Sequence, residues 1–154
     1  MKVYLVRHGT AVPASADPRE PLSNEGRNEA ERLADFLSNA GVTVSETWHS
    51  AKDRARETAQ LLVARGGLLG AARERMGLLP NDPVAAIAAE LSVLDGDICI
   101  VGHLPFMDYL AAELTTNGMG GPEFVFGNCA MLCLERVTDT DWAVRWFISP
   151  DVLP

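Results

Sequence analysis

The chain has 154 residues, is 47% hydrophobic and carries a formal net charge of −8. That length and apolar content suit one domain, residues 1–154, with a sizeable core. The acidic balance argues against nucleic acid or an anionic membrane as the main partner, because phosphate backbones call for clustered Lys and Arg. A few converging arginines can still bind one small anion. The first apolar run stops at Arg7, too short for a secretory leader, and no stretch approaches membrane-spanning length. Three cysteines (Cys99, Cys129, Cys133) form an odd set without framework spacing, which predicts reduced core thiols and a cytoplasmic chain.

The pattern along the chain alternates strand and helix, the signature of an α/β fold. Lys2 to Arg7 is apolar enough for a strand buried on both faces. Thr10 to Leu22, marked by three prolines, is a loop. Asn24 to Ala40 has apolar residues at helical spacing (Ala30, Leu33, Ala34, Leu37) and a stop at Gly41. Val44 to His49 predicts a second strand and Ala51 to Arg65 a second helix, with Ser50 as its N-cap. A short strand over Arg73 to Gly77 and a helix over Pro83 to Leu94 follow. Asp97 to Gly102 is a strong buried strand, Pro105 to Leu114 a helix, and Asn117 to Pro122 a Gly-rich loop. Cys129 to Arg136 and Trp142 to Ile148 pair as a hairpin, which puts Cys129 and Cys133 on one face.

Chemistry-bearing residues gather at the predicted strand ends. His8 closes the first strand, after Arg7 and before Gly9; His103 closes the strand Asp97 to Gly102. Ligand crevices of open α/β sheets lie beyond the carboxyl ends of the strands. The second strand leads into Ser50 and then Arg54 at a helix start, where free N–H groups favour anions. Arg7, His8, Arg54 and His103 can therefore converge. Two guanidiniums and two imidazoles suit a phosphoryl group rather than a metal. Each residue alone also fits a plain structural role, and His49 is read as structural. There is no His-Glu-x-x-His, no cysteine–histidine ligand cluster, no P-loop and no Gly-x-Ser-x-Gly elbow.

Leu5-Val6-Arg7-His8-Gly9 resembles the signature of the histidine phosphatase superfamily, whose fold is phosphoglycerate-mutase-like. Pro21-Leu22-Ser23 with Gly26 and Ala30, Ser50 through Thr58, and Val101-Gly102-His103-Leu104-Pro105 resemble its further elements in order. The last of these, and the tail from Trp142 to Pro150, are similar to the short SixA-type phosphohistidine phosphatase branch. The resemblance implies a three-layer α/β/α fold with a mainly parallel sheet and a metal-independent hydrolase needing no cofactor. It implies a covalent phosphohistidine on His8, with Arg7, Arg54, His103 and Leu104 binding phosphate. The implied substrate is a phosphohistidine-bearing protein, such as a phosphotransfer domain or phosphocarrier. A small phosphate ester and a non-catalytic phosphate-binding module stand as alternatives. Ala51 replaces the family's usual Pro, and the insertion that carries a glutamate acid in mutase-like relatives is missing; Asp17, Glu74 and Asp82 are the nearest candidates for that acid.

Overall fold

The computed structural model describes residues 1–67, 71–120 and 124–154. Its elements are β1 (Lys2–Arg7), α1 (Asn24–Asn39), β2 (Glu46–His49), α2 (Asp53–Gly66) and β3 (Ala72–Glu74). They continue with α3 (Ala85–Val93), β4 (Ile98–Gly102), α4 (Phe106–Thr116), β5 (Met131–Arg136) and β6 (Trp142–Ile148). The six strands form one sheet in the order β3-β2-β4-β1-β5-β6. The first four of that order run parallel; β5 and β6 join as an antiparallel pair.

Side chains alternate across the sheet, so each strand feeds two cores. Val3 and Leu5 of β1, with Trp48, Ile98, Ile100 and Leu132, pack against Ile87, Leu91, Phe106 and Leu110 of α3 and α4. Tyr4 and Val6, with Cys99, Val101 and Met131, pack against Leu33, Leu37, Ala59 and Leu62 of α1 and α2. This is the three-layer α/β/α arrangement. All three cysteines are free and buried in the second core.

Strand register sets the site. Arg7 lies opposite Gly102, and His49 opposite Val101. The carboxyl ends of β1, β4 and β2 are therefore level, and the residues that follow them share one edge.

Several boundaries depart from expectation. α2 starts at Asp53, and its N-cap is Lys52, without a side-chain cap bond; Ser50 does not cap the helix. β2 begins at Glu46 and β3 ends at Glu74, because Gly77 turns away with φ +82°. α3 starts two residues after Pro83. Cys129 precedes β5 in a left-handed turn (φ +54°), its N–H donating to the Arg7 carbonyl at 3.0 Å. The expected loop over Asn117 to Pro122 lies outside the described residues from 121 onward. α1 ends one residue earlier than expected, with paired bonds from Gly41 N–H to Ser38 O and from Val42 N–H to Leu37 O.

The edges of the sheet are short or charged. β3 has three residues. β6 exposes Arg145, which pairs with Glu135 at 3.2 Å, and the β5–β6 register shifts between Cys133 and Leu134.

α1 presses on the loop after β1. Ser23 caps α1 by accepting the Gly26 N–H at 3.0 Å, while its own hydroxyl donates to Thr10 O at 3.0 Å. A Cβ on Gly26 would fall on the Thr10 carbonyl, and one on Gly9 would sit 2.7 Å from the Gly26 carbonyl. Gly26→Ala is expected to cost about 1–3 kcal/mol, as overpacking against backbone does. Urea unfolding should show a lower midpoint with an unchanged slope.

Candidate active site

β1 delivers Arg7 and His8 to the level strand ends, and backbone holds His8 there. Its N–H donates to Gly102 O at 3.0 Å, and its carbonyl accepts the Cys129 N–H at 3.3 Å. The ring is fixed as well. Nδ1 lies 2.7 Å from the Gly9 carbonyl, which can only accept, so Nδ1 carries the proton. Nε2 then presents a lone pair, and Arg54 Nε donates to it at 3.2 Å.

Arg54 sits in the first turn of α2. Thr58, one turn on, ties that helix to β1: the Gly9 N–H donates to Thr58 Oγ1 at 3.1 Å, and the hydroxyl donates to Arg54 O at 2.7 Å. Arg7 Nη1 donates to the Phe126 carbonyl at 2.7 Å. His103 is buried beside His8, their ring centroids 4.9 Å apart. Ser50 Oγ is 2.5 Å from His103 Nε2. This is why Ser50 does not cap α2: its hydroxyl is taken by β4's histidine, with only a 3.3 Å contact left for the Lys52 N–H.

The four expected residues are thus brought together. Leu104 follows His103 in the turn, and its side chain packs on the α3–α4 core. His49 points elsewhere, its Nδ1 bonded to the Ser50 carbonyl at 2.9 Å. Of the three acid candidates, Asp17 and Asp82 are held by local contacts and Glu74 ends β3. Asp17 pairs with Arg19 at 3.0 Å. Asp82 accepts the Leu79 N–H at 2.9 Å and shares with Glu74 a separate groove of about 490 Å³. Glu20 was not anticipated as a site residue, yet its carboxylate lies 3.5 Å from Arg54 Nη1. Its loop carries no periodic signal, so nothing local in the sequence marks it. Among the described residues, no group of three His, Cys, Asp or Glu side chains is gathered as for a metal ion.

Electrostatics follow from burial amid positive charge. Burial lowers the His8 pKa to about 4; the Gly9 carbonyl opposes the shift, Arg54 and Arg7 add to it, and Glu20 opposes it. Burial, then His8, Arg54, Lys52 and Arg7, lower His103 to about 3. Both imidazoles are neutral at pH 7. The buried Arg7 Nε and His103 Nδ1 have no hydrogen-bond partner among the described residues. Such groups are costly unless something binds there. The cluster offers two cations, one nucleophilic nitrogen and open donors, which together can hold a tetrahedral oxyanion. NMR titration of the ring nitrogens should find the His8 midpoint near 4 rather than 6.5, and Arg54→Gln should raise it. Because the unfolded chain takes up these protons near 6.5, folding stability should fall as pH drops from 6.5 toward 4.

A family model for the histidine phosphatase superfamily (branch 1) matches residues 3–76. The phosphohistidine phosphatase SixA of Escherichia coli (strain K12) is 28% identical over 155 residues, covering 97% of this chain and 94% of that protein. A structure of the protein histidine phosphatase SixA complexed with tungstate superposes with a TM-score of 0.88 at 26% identity, covering 98% of each chain. A mycobacterial glucosyl-3-phosphoglycerate phosphatase shares the fold, with a TM-score of 0.69 at 19% identity over 94% of this chain and 96% of that one. Sequence, fold and the convergence of strand ends agree: over nearly its whole length the chain is similar to SixA-type members of the histidine phosphatase superfamily.

Proposed function

We propose that this enzyme removes the phosphoryl group from phosphohistidine on a cytoplasmic protein, carrying it transiently on His8. The observation that carries this reading is the His8 ring itself. Nδ1–H is committed to the Gly9 carbonyl, and Nε2 is a neutral lone pair at the Arg54 guanidinium.

In the first step Nε2 attacks phosphorus, and the bond between phosphorus and the substrate nitrogen breaks. The departing imidazole nitrogen keeps the electron pair and is protonated from solvent. Arg7 and Arg54 neutralise the equatorial oxygens, where charge resides in a loose transition state. His103 donates from Nδ1 to another oxygen. For this, Ser50 Oγ–H must donate to Nε2, which keeps the His103 proton on Nδ1. The Leu104 backbone N–H, next in the chain, adds a donor at the same turn. In the second step water attacks phosphorus, the bond to His8 Nε2 breaks, and phosphate leaves with the proton balance met by solvent. His8 returns neutral.

The substrate preference rests on leaving-group chemistry. Imidazole departs more readily than an alkoxide and asks less of a positioned acid. Asp17 and Asp82 are taken up by local partners, and Glu74 lines a separate groove with Asp82.

Single-turnover hydrolysis should be faster for a phosphohistidine protein than for an alkyl phosphate. A faster ester would make the enzyme a small-molecule phosphomonoesterase, and no turnover of either would leave a binding module. An acid-labile phosphoenzyme should be trapped during turnover and be absent in His8→Ala. Ser50→Ala should lower kcat roughly tenfold to a hundredfold while KM changes little, since the donor to the transition state is mis-set. An unchanged kcat would remove Ser50 from this role.

A further inference from the structure

Loop 10–22 is built to hold one side chain. The Val12 N–H donates to Pro21 O at 2.8 Å, Ala11 bridges Leu22, and the Glu20 N–H donates to Asp17 O at 2.9 Å. This closed loop places Glu20 at φ +48°, a left-handed backbone that a glutamate rarely adopts. A non-glycine residue kept in that region is held there by its surroundings, and such residues cluster at functional sites. From it the carboxylate reaches Arg54 Nη1 at 3.5 Å, with the Arg54 side chain only 14% exposed.

The side of the guanidinium matters. Nε and Nη2 lie together as a fork, with Nη1 on the other flank. Nε faces His8. Nη1 is buried and makes no hydrogen bond among the described residues; Glu20 faces it at ion-pair distance, on the flank turned away from His8, and leaves the fork directed at His8. Its charge has a second effect. With both histidines neutral, Arg7 and Arg54, with Lys52 nearby, give the pocket its positive charge, and Glu20 offsets part of it. A pocket of two unopposed guanidiniums would bind inorganic phosphate, a product carrying up to two negative charges, more tightly.

We propose that Glu20 is a positioning residue for Arg54 and a built-in counter-anion of the phosphate pocket, which lowers its affinity for inorganic phosphate so that product leaves. This rests on the reading of the cluster as a phosphate site. The groups facing His8 are Arg7 from β1, Arg54 from α2, His103 from the end of β4 and Glu20 from the loop. Glu20 is the acid among them, and its charge raises the His8 pKa against the effect of the arginines.

Glu20→Gln keeps the shape of the side chain but removes its charge. Inorganic phosphate binding to the full chain can be measured by calorimetry at low salt and again at high salt. The Gln variant should bind phosphate roughly three- to tenfold more tightly at low salt, with the gap narrowing as salt screens the half-exposed charge. Product inhibition should rise in step, and the NMR midpoint of His8 should move lower. Unchanged or weaker phosphate binding in Glu20→Gln, with wild type binding phosphate and Arg54→Gln losing it, would overturn the role of Glu20 alone. Wild type that binds no phosphate would overturn the pocket and this role with it.

Discussion

The His8 ring is oriented by the carbonyl of the next residue, and contacts from three directions, two of main chain and one of a side-chain hydroxyl, fix the backbone of both residues. β4 supplies the Gly102 carbonyl, the turn before β5 supplies the Cys129 N–H, and Thr58 of α2 accepts from Gly9. Parallel pairing of β1 with β4 and antiparallel pairing with β5 put those groups at hydrogen-bond distance together. The place of the ring is thus set largely by backbone contacts. The cost is paid in tolerance elsewhere: Gly9 and Gly26 touch with no room for a methyl group.

Charge is managed by the same architecture. Two imidazoles buried within ring-contact distance cannot readily both be protonated beside two arginines, so burial and repulsion push both toward the neutral form. His8 presents a lone pair at Nε2, and His103 leaves Nδ1 without a partner among the described residues. Which ring does which is set by their partners: the Gly9 carbonyl fixes the proton of His8, and the Ser50 hydroxyl faces Nε2 of His103. Identical side chains thus acquire opposite tasks from a few polar neighbours.

Much of the fold was legible because β1, α1, β4 and β6 carry their signals locally. Buried central strands read as unbroken apolar runs, and α1 has a Ser cap, a clean period and a Gly stop. The convergence of Arg7, His8, Arg54 and His103 was legible from their places at strand and helix ends. What was not legible depends on distant partners. Ser50 reads as a helix cap until His103, 53 residues on, takes its hydroxyl. Cys129 reads as strand until its N–H is claimed by Arg7 and His8. Glu20 looks like any loop acid, since its meeting with Arg54 depends on how a proline-rich loop closes. Asp17, Glu74 and Asp82 were the acids in view; an ion pair holds Asp17, a local turn holds Asp82, and Glu74 lines a separate groove.

The two margins of the sheet have a consequence wherever protein is concentrated. An open strand margin is a template on which other chains can add strands, ending in polymer. Here one margin is three residues long, too short to template much, and the other, β6, bears Arg145, paired with Glu135 of the neighbouring β5, at a bulge that distorts its hydrogen-bonding row. Lateral growth is discouraged at both. The protein can therefore keep a rigid, mainly parallel sheet, and the sharply levelled strand ends that go with it, without inviting strand-on-strand polymerisation.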